Sequence, residues 1–267
     1  GTADAEVYLC GPEVAAASAV LGYIAAPEAV MDPKPLLSIK DPEAYIVDDR
    51  MIVPPPADGS GVQIVKGPNI KPMPINEPLP DHVEAEAVIR LLDDVTTDDI
   101  VPAGTTLSNM RSNVPALSEH LFERVDTGFV GRIKGARKNG RYGIIVAGEN
   151  YGQGSSREHA ALCPMSLGVK AVLVKPLARI HKDNLINYGV LPLLFEDKSD
   201  YDKIEQGDLL EADSLREQLK ARRIVLRNRT KGTEIPALLE LSDRETTILL
   251  AGGKLTYVRD KHRAAAD

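Results

Sequence analysis

The chain has 267 residues, 43% of them hydrophobic and 27% charged, which suffices for one large domain or a domain with an appendage. Its formal net charge of −7 argues against a general nucleic-acid binder, because phosphate neutralisation needs a basic face. The two cysteines, Cys10 and Cys163, are too few and too distant for a disulfide framework, so a reducing cytoplasm is the expected compartment, and no apolar run approaches the ~20 residues that span a bilayer.

Residues 11–26, "GPEVAAASAVLGYIAA", predict an Ala-rich helix with Pro12 in its first turn and Pro27 after its end. The next stretch reads as a tether: eight of the 19 prolines fall between Pro54 and Pro80, a composition that favours extended, weakly packed chain. The expected organisation is the tail of one unit at 1–30, a linker at 31–81 and a further domain at 82–267. In "HVEAEAVIRLL" the alternation of Val83, Ala85, Ala87 and Ile89 predicts a strand. "DDVTTDDIVPAG" supplies turn and cap residues, "ALSEHLFERV" a helical stretch, and "GRIKGARKNGR" a basic, solvated connection. "YGIIVA", "VKAVLVK" and "VLPLLF" then read as strands separated by the helices "SSREHAALCPMSLG" and "LARIHKDNLINYG". This alternation implies parallel strands with crossover helices, with Gly168 and Gly189 at left-handed helix ends. "RRIVLRNRTKGTEIPALL" reads as two strands about a Lys-Gly turn, and "SDRETTILLAGG" as a last helix.

One loop stands out. "GENYGQGSSREHA", residues 148–160, leaves a strand through three glycines and places Ser-Ser-Arg before a helix. Ser155-x-x-Glu158 fits a capping box, contributing about 1 kcal/mol. A cap needs one hydroxyl rather than two, and it does not call for glycines at 148, 152 and 154. Those glycines would let the backbone turn and offer its amides to a ligand. Arg157 adds a bidentate fork suited to a carboxylate. Such donors could lower the cost of a serine alkoxide. The loop lacks both the second glycine of a G-x-S-x-G elbow and the Gly-Lys-Ser/Thr ending of a Walker loop. Among the acidic residues Asp93, Asp94, Asp98 and Asp99, capping is a simpler role than metal binding. His159 and His181 read as helix residues in hydrogen bonds, and Arg179 is placed to brace the serine loop.

"GENYGQGSSREHAAL", with "DDVTTDDIVPAG" before it and "KPLARIHKDNLINYGVLPL" after it, resembles the C-terminal, swivel-domain portion of the aconitase family, most closely in bacterial aconitate hydratases. The likeness runs from "GPE" through "GPNIKPMPINEPLP" to at least Phe195. It implies an α/β fold with a three-layer β/β/α arrangement of parallel and mixed strands, closing over an active site carried by preceding domains. It also implies interconversion of citrate and isocitrate through cis-aconitate, with a 4Fe-4S cluster binding the substrate. By position, Ser155 matches the base, Ser156 and Arg157 match substrate-binding residues, Arg111 a further carboxylate ligand, and Asp98 a supporting acidic group.

The family's cluster is held by three cysteines, two of them close together, and Cys10 and Cys163 lack that spacing. Each reads as a structural thiol. The chain is therefore expected to work with N-terminal cluster-bearing domains on a tricarboxylate, to lack metal ligands of its own and to be inactive alone. Alternatives are the small subunit of an isopropylmalate dehydratase, disfavoured by the first 80 residues, and an RNA-binding regulatory relative. For the latter the basic group Arg132, Lys134, Arg137, Lys138 and Arg141 is the one feature in favour.

Overall fold

The computed structural model describes residues 6–30 and 40–264. Residues 31–39 of the expected linker and the two chain ends lie outside the described residues. The chain divides into two units, Gly1–Gln63 and Ile64–Asp267.

In the first unit, α1 (Pro12–Leu21) starts on a proline and stops at Gly22, whose φ of 77° lets its N–H reach the Ser18 carbonyl. Only Ala17 of this helix is buried, while Val20, Tyr23 and Ile24 are exposed. Among the described residues most of this apolar helix stays uncovered within its own unit.

The second unit is built on seven strands. β1 (Val83–Arg90), β2 (Tyr142–Val146), β3 (Val169–Val174) and β4 (Leu191–Phe195) run parallel to one another. β5 (Leu209–Ala212), β6 (Arg223–Asn228) and β7 (Thr233–Leu238) form an antiparallel half. The sheet closes in the order β1-β2-β3-β4-β7-β6-β5, with β5 pairing β1. The architecture is thus mixed α/β, with parallel and antiparallel strands in one sheet.

The two halves read differently because they are buried differently. Ile144, Val146, Ala171, Leu173, Leu191 and Leu193 fill the interior with Ile224, Leu226, Ile235 and Ala237 of the antiparallel half. Ile145, Val172 and Val174 join a second core with α5 (Phe129–Lys138) and α6 (His159–Leu167). Strands buried on both faces are continuously apolar. In β6 and β7, by contrast, burial alternates with exposure, which leaves Arg223 and Arg227 in solvent.

Several expectations need correction. "GRIKGARKNGR" is not a solvated connection but most of α5, whose Phe129, Ile133 and Ala136 form a buried stripe at helical spacing. Two of its basic side chains form ion pairs: Arg132 with Asp126, and Lys134 with Glu119 at 2.6 Å. "ALSEHLFERV" is helical only to the end of α4 (Val114–Ser118), and Phe122 takes a left-handed φ of 56° that turns the chain. The helix α8 (Leu215–Lys220), the helix α10 (Lys254–Ala264) and strand β5 carried no clear sequence signal. α7 (Arg179–Asn187) and α9 (Asp243–Leu250) lie where the pattern put them, and Gly168 and Gly189 are left-handed as expected.

The end of the Pro-rich stretch is extended yet tied down. Leu79 is 2% exposed and its N–H donates to the Leu250 carbonyl at 3.1 Å. Asn76 donates to the carbonyls of Tyr188 and Gly189 at 3.0 Å each. Composition dictates the extension, but not these anchors.

The assigned strand faces are testable by equilibrium urea unfolding. Leu173→Ala, which empties the interior, is expected to cost about 2–5 kcal/mol. Leu238→Ala, at a position 39% exposed, should change stability by no more than about 0.5 kcal/mol. Equal losses at the two sites would contradict the assignment.

Candidate active site

Two loops leave the C-terminal ends of the neighbouring parallel strands β1 and β2, and the site lies where they meet. The first leads into α2 (Thr97–Ile100), a short helix held by a reciprocal capping box between Thr96 and Asp99. The second is the serine loop. They are laced by Gly152 N–H to the Val95 carbonyl at 2.7 Å and Thr97 N–H to the Gln153 carbonyl at 2.9 Å. The Thr97 hydroxyl adds a hydrogen bond to the Ser155 carbonyl at 3.2 Å.

The glycines have different causes. A Cβ on Gly148 would sit 1.9 Å from the Asp93 carboxylate, and one on Gly152 would strike the His181 ring at 2.4 Å. At these two positions the chain's own side chains, not a ligand, demand glycine. Gly154, at φ 107°, would bring a Cβ only into ordinary contact with Thr97 Oγ1 at 3.6 Å, so the turn alone calls for glycine there.

The capping expectation is also corrected. α6 begins at His159, its N-cap is Glu158, and no side chain caps it. The loop stays non-helical through Arg157, so Ser155 and Ser156 stand upstream of the helix, both exposed. Neither hydroxyl makes a hydrogen bond with the described residues, and none of those residues accepts from the backbone N–H of Ser155, Ser156 or Arg157. Ser155, Ser156, Arg157 and Arg111 line a cleft of about 210 Å3 together with Leu107 and Leu117.

Arg111 reaches the cleft from the segment after α3 (Thr105–Ser108), and its carbonyl accepts from His159 Nε2 at 2.9 Å. Asp98 is drawn in through Arg157: its carboxylate takes Arg157 Nη1 at 2.5 Å, while the Val101 carbonyl takes the same nitrogen at 3.3 Å. The structure thus brings together all five residues singled out from the sequence. Thr97 went unnoticed beside Asp98, although the doubled threonine in "TTDD" was the available signal.

Of the other sequence candidates, His159 also lines the cleft and the rest fall outside it. Asp93 accepts from Glu149 N–H at 2.7 Å, Asp94 from Asn150 at 2.8 Å, and Asp99 caps α2, so each has a structural partner. Arg179 lines a second cavity on the far side of the serine loop, with no hydrogen bond to that loop among the described residues. His181 is a helix residue as expected, but neither ring nitrogen has a hydrogen-bond partner among the described residues. Burial pushes its imidazole down to about 4. It packs against Tyr151, with ring centroids 5.3 Å apart.

The cysteines do not fit an iron–sulfur cluster, whose irons are held by thiolates. Cys163 is buried in α6, and burial pushes its thiol up to about 12, against a smaller opposing effect of Ser118. Cys10 is exposed rather than buried, contrary to its reading as a core thiol. No helix among the described residues is long and apolar enough to cross a membrane.

Residues 105–198 match the family described as the aconitase C-terminal domain. The chain is 40% identical over 170 residues to 3-isopropylmalate dehydratase small subunit 2 of Archaeoglobus fulgidus, covering 64% of this chain and 90% of that protein. It is 31% identical over 235 residues to a probable mitochondrial aconitate hydratase of Dictyostelium discoideum, covering 78% of this chain and 30% of the relative. The chain spans less than a third of the length of the aconitate hydratases it matches. A crystal structure of 3-isopropylmalate dehydratase from Methanocaldococcus jannaschii has a similar fold, with a TM-score of 0.54 at 29% identity over 70% of this chain and 97% of that one. Identity sustained across nearly the whole of a small-subunit relative makes this chain a member of the aconitase family, carrying its C-terminal domain.

Proposed function

We propose that the chain is the substrate-closing part of a hydro-lyase, supplying the base and the carboxylate clamp for interconversion of citrate and isocitrate through cis-aconitate. The observation that carries this reading is the pair of unspent hydroxyls flanked by Arg157 and Arg111 in one cleft. Water is removed from a hydroxy acid by taking a proton from the carbon next to a carboxylate and a hydroxyl from its neighbour. The guanidinium of Arg157 offers one carboxylate a bidentate fork, and Arg111 offers a second positive group. The free amides at 155–157 add partial positive charge where an oxyanion would lie. Ser155 is the base, its alkoxide favoured by those donors, and the proton it takes rests on Oγ until rehydration returns it. Asp98 is a positioning residue: it fixes Arg157 and has no direct role toward substrate.

The hydroxyl leaves toward a group that this chain does not provide. A 4Fe-4S cluster, where the enzyme uses one, must be held by another domain or subunit. In this reading residues 1–30 are the tail of a preceding domain, and residues 31–81 carry the linker to the closing domain.

A second reading is the small subunit of an isopropylmalate dehydratase, favoured by the 40% identity over 90% of such a protein. Two arginines suit a substrate with a third carboxylate, whereas Leu107 and Leu117 suit a branched alkyl group. The deciding experiment joins the chain to a cluster-bearing partner and follows hydration of cis-aconitate and of isopropylmaleate by loss of the double-bond absorbance. Turnover of cis-aconitate is expected, and none by the chain alone. Preference for isopropylmaleate would install the second reading, and turnover without the partner would overturn both.

In the same assay Ser155→Ala should lower kcat by about 10²–10⁴-fold with little change in KM, as loss of a general base does. Arg157→Lys keeps the charge but loses the fork, so KM should rise by about tenfold. An unchanged kcat in Ser155→Ala would remove the serine from the chemistry.

A further inference from the structure

A second cleft lies at the other end of α6. β3 carries a bulge there: Gly143 pairs with Val169 and Ile144 with Ala171, so Lys170 is the extra residue in the ladder. A bulge frees a residue from the sheet's alternation and re-aims its side chain. Here it directs Lys170, only 3% exposed, into a cleft of about 180 Å3 that Asn76, Glu77, Arg137, Tyr142 and Ser166 also line.

Three features mark this cleft as more than a packing gap. Lys170 Nζ donates to Asn76 Oδ1 at 3.1 Å, and that amide is oriented by its own donation to the Tyr188 and Gly189 carbonyls. An ammonium has three donors, and this neutral acceptor is its one hydrogen-bond partner among the described residues. Second, Arg137 shares the Tyr142 ring with it, the guanidinium 4.6 Å and Nζ 4.8 Å from the ring centre. Third, Gly168, at φ 102°, clears the path for Arg137, since a Cβ there would lie 2.4 Å from Arg137 Cδ.

Neither cation forms an ion pair among the described residues. Glu77 attracts Lys170 from the cleft wall without reaching it, and Arg137 repels it. Burial pushes the ammonium down to about 8. A buried cation short of counter-charge is costly, and an anion seated beside it removes that cost.

We propose that this cleft is a binding site for a small oxyanion, a phosphate or a compact carboxylate, held by Lys170 and Arg137 beside Tyr142. It is separate from the serine-loop cleft, which precedes the N-terminal end of α6, whereas Lys170 follows its C-terminal end.

Calorimetric titration of the full chain with inorganic phosphate, and in parallel with acetate, tests the proposal. Saturable binding of at least one anion in the millimolar range is expected. Lys170→Met and Arg137→Gln should each weaken it by about tenfold or more, the loss that follows removal of a charge-assisted hydrogen bond. Lys220→Gln, an exposed cation that lines neither cleft, should leave it unchanged. Arg137 is exposed, so its substitution keeps the test valid where Lys170→Met fails to fold. Acetylation of Lys170 by acetic anhydride, followed by mass spectrometry, should slow when the binding anion is present. Absence of saturable binding to either anion would overturn the proposal. So would binding that survives both Lys170→Met and Arg137→Gln, or that is lost in Lys220→Gln.

Discussion

The candidate site depends on the lacing of two loops. Thr97 donates its amide to Gln153 and its hydroxyl to Ser155, while Gly152 donates to Val95. Both loops rise from the carboxyl ends of adjacent parallel strands, the edge at which open α/β sheets generally bind ligands. Without these bonds the serine loop would be a glycine-rich excursion with no fixed orientation. With them, two hydroxyls and a guanidinium share one wall of a cleft.

The Arg157–Asp98 pair illustrates how little of this is about stability. Asp98 is 45% exposed at its side chain and Arg157 23%, so solvent screens the pair. Such a pair contributes about 0–1 kcal/mol to folding. Its effect is directional: with one nitrogen on Asp98 and on the Val101 carbonyl, the rest of the guanidinium is left to a ligand. Folding energy comes instead from the two apolar cores on either side of the parallel strands.

That division also explains what the sequence reveals. β2, β3 and β4 were legible because burial on both faces makes them unbroken apolar runs. The serine loop drew attention too, but two of its three glycines answer to Asp93 and His181, contacts between segments distant in sequence. α5 was hidden because Gly131 and Gly135 interrupt a stripe whose first member, Phe129, precedes the basic residues that drew attention. Lys170 gave no signal, since "VKAVLVK" reads as an ordinary strand and only the pairing register exposes the bulge. The capping pattern at Ser155 misled because a local motif cannot register a loop held open by Thr97.

The central claim is that the unspent amides and hydroxyls of the serine loop receive an organic acid. Nitrogen-15 NMR of the chain during titration with a tricarboxylate tests it most directly. Saturable shifts concentrated at the amides of Ser155, Ser156 and Arg157 are the expected result. Resonances there that stay fixed while the acid binds elsewhere would contradict the account.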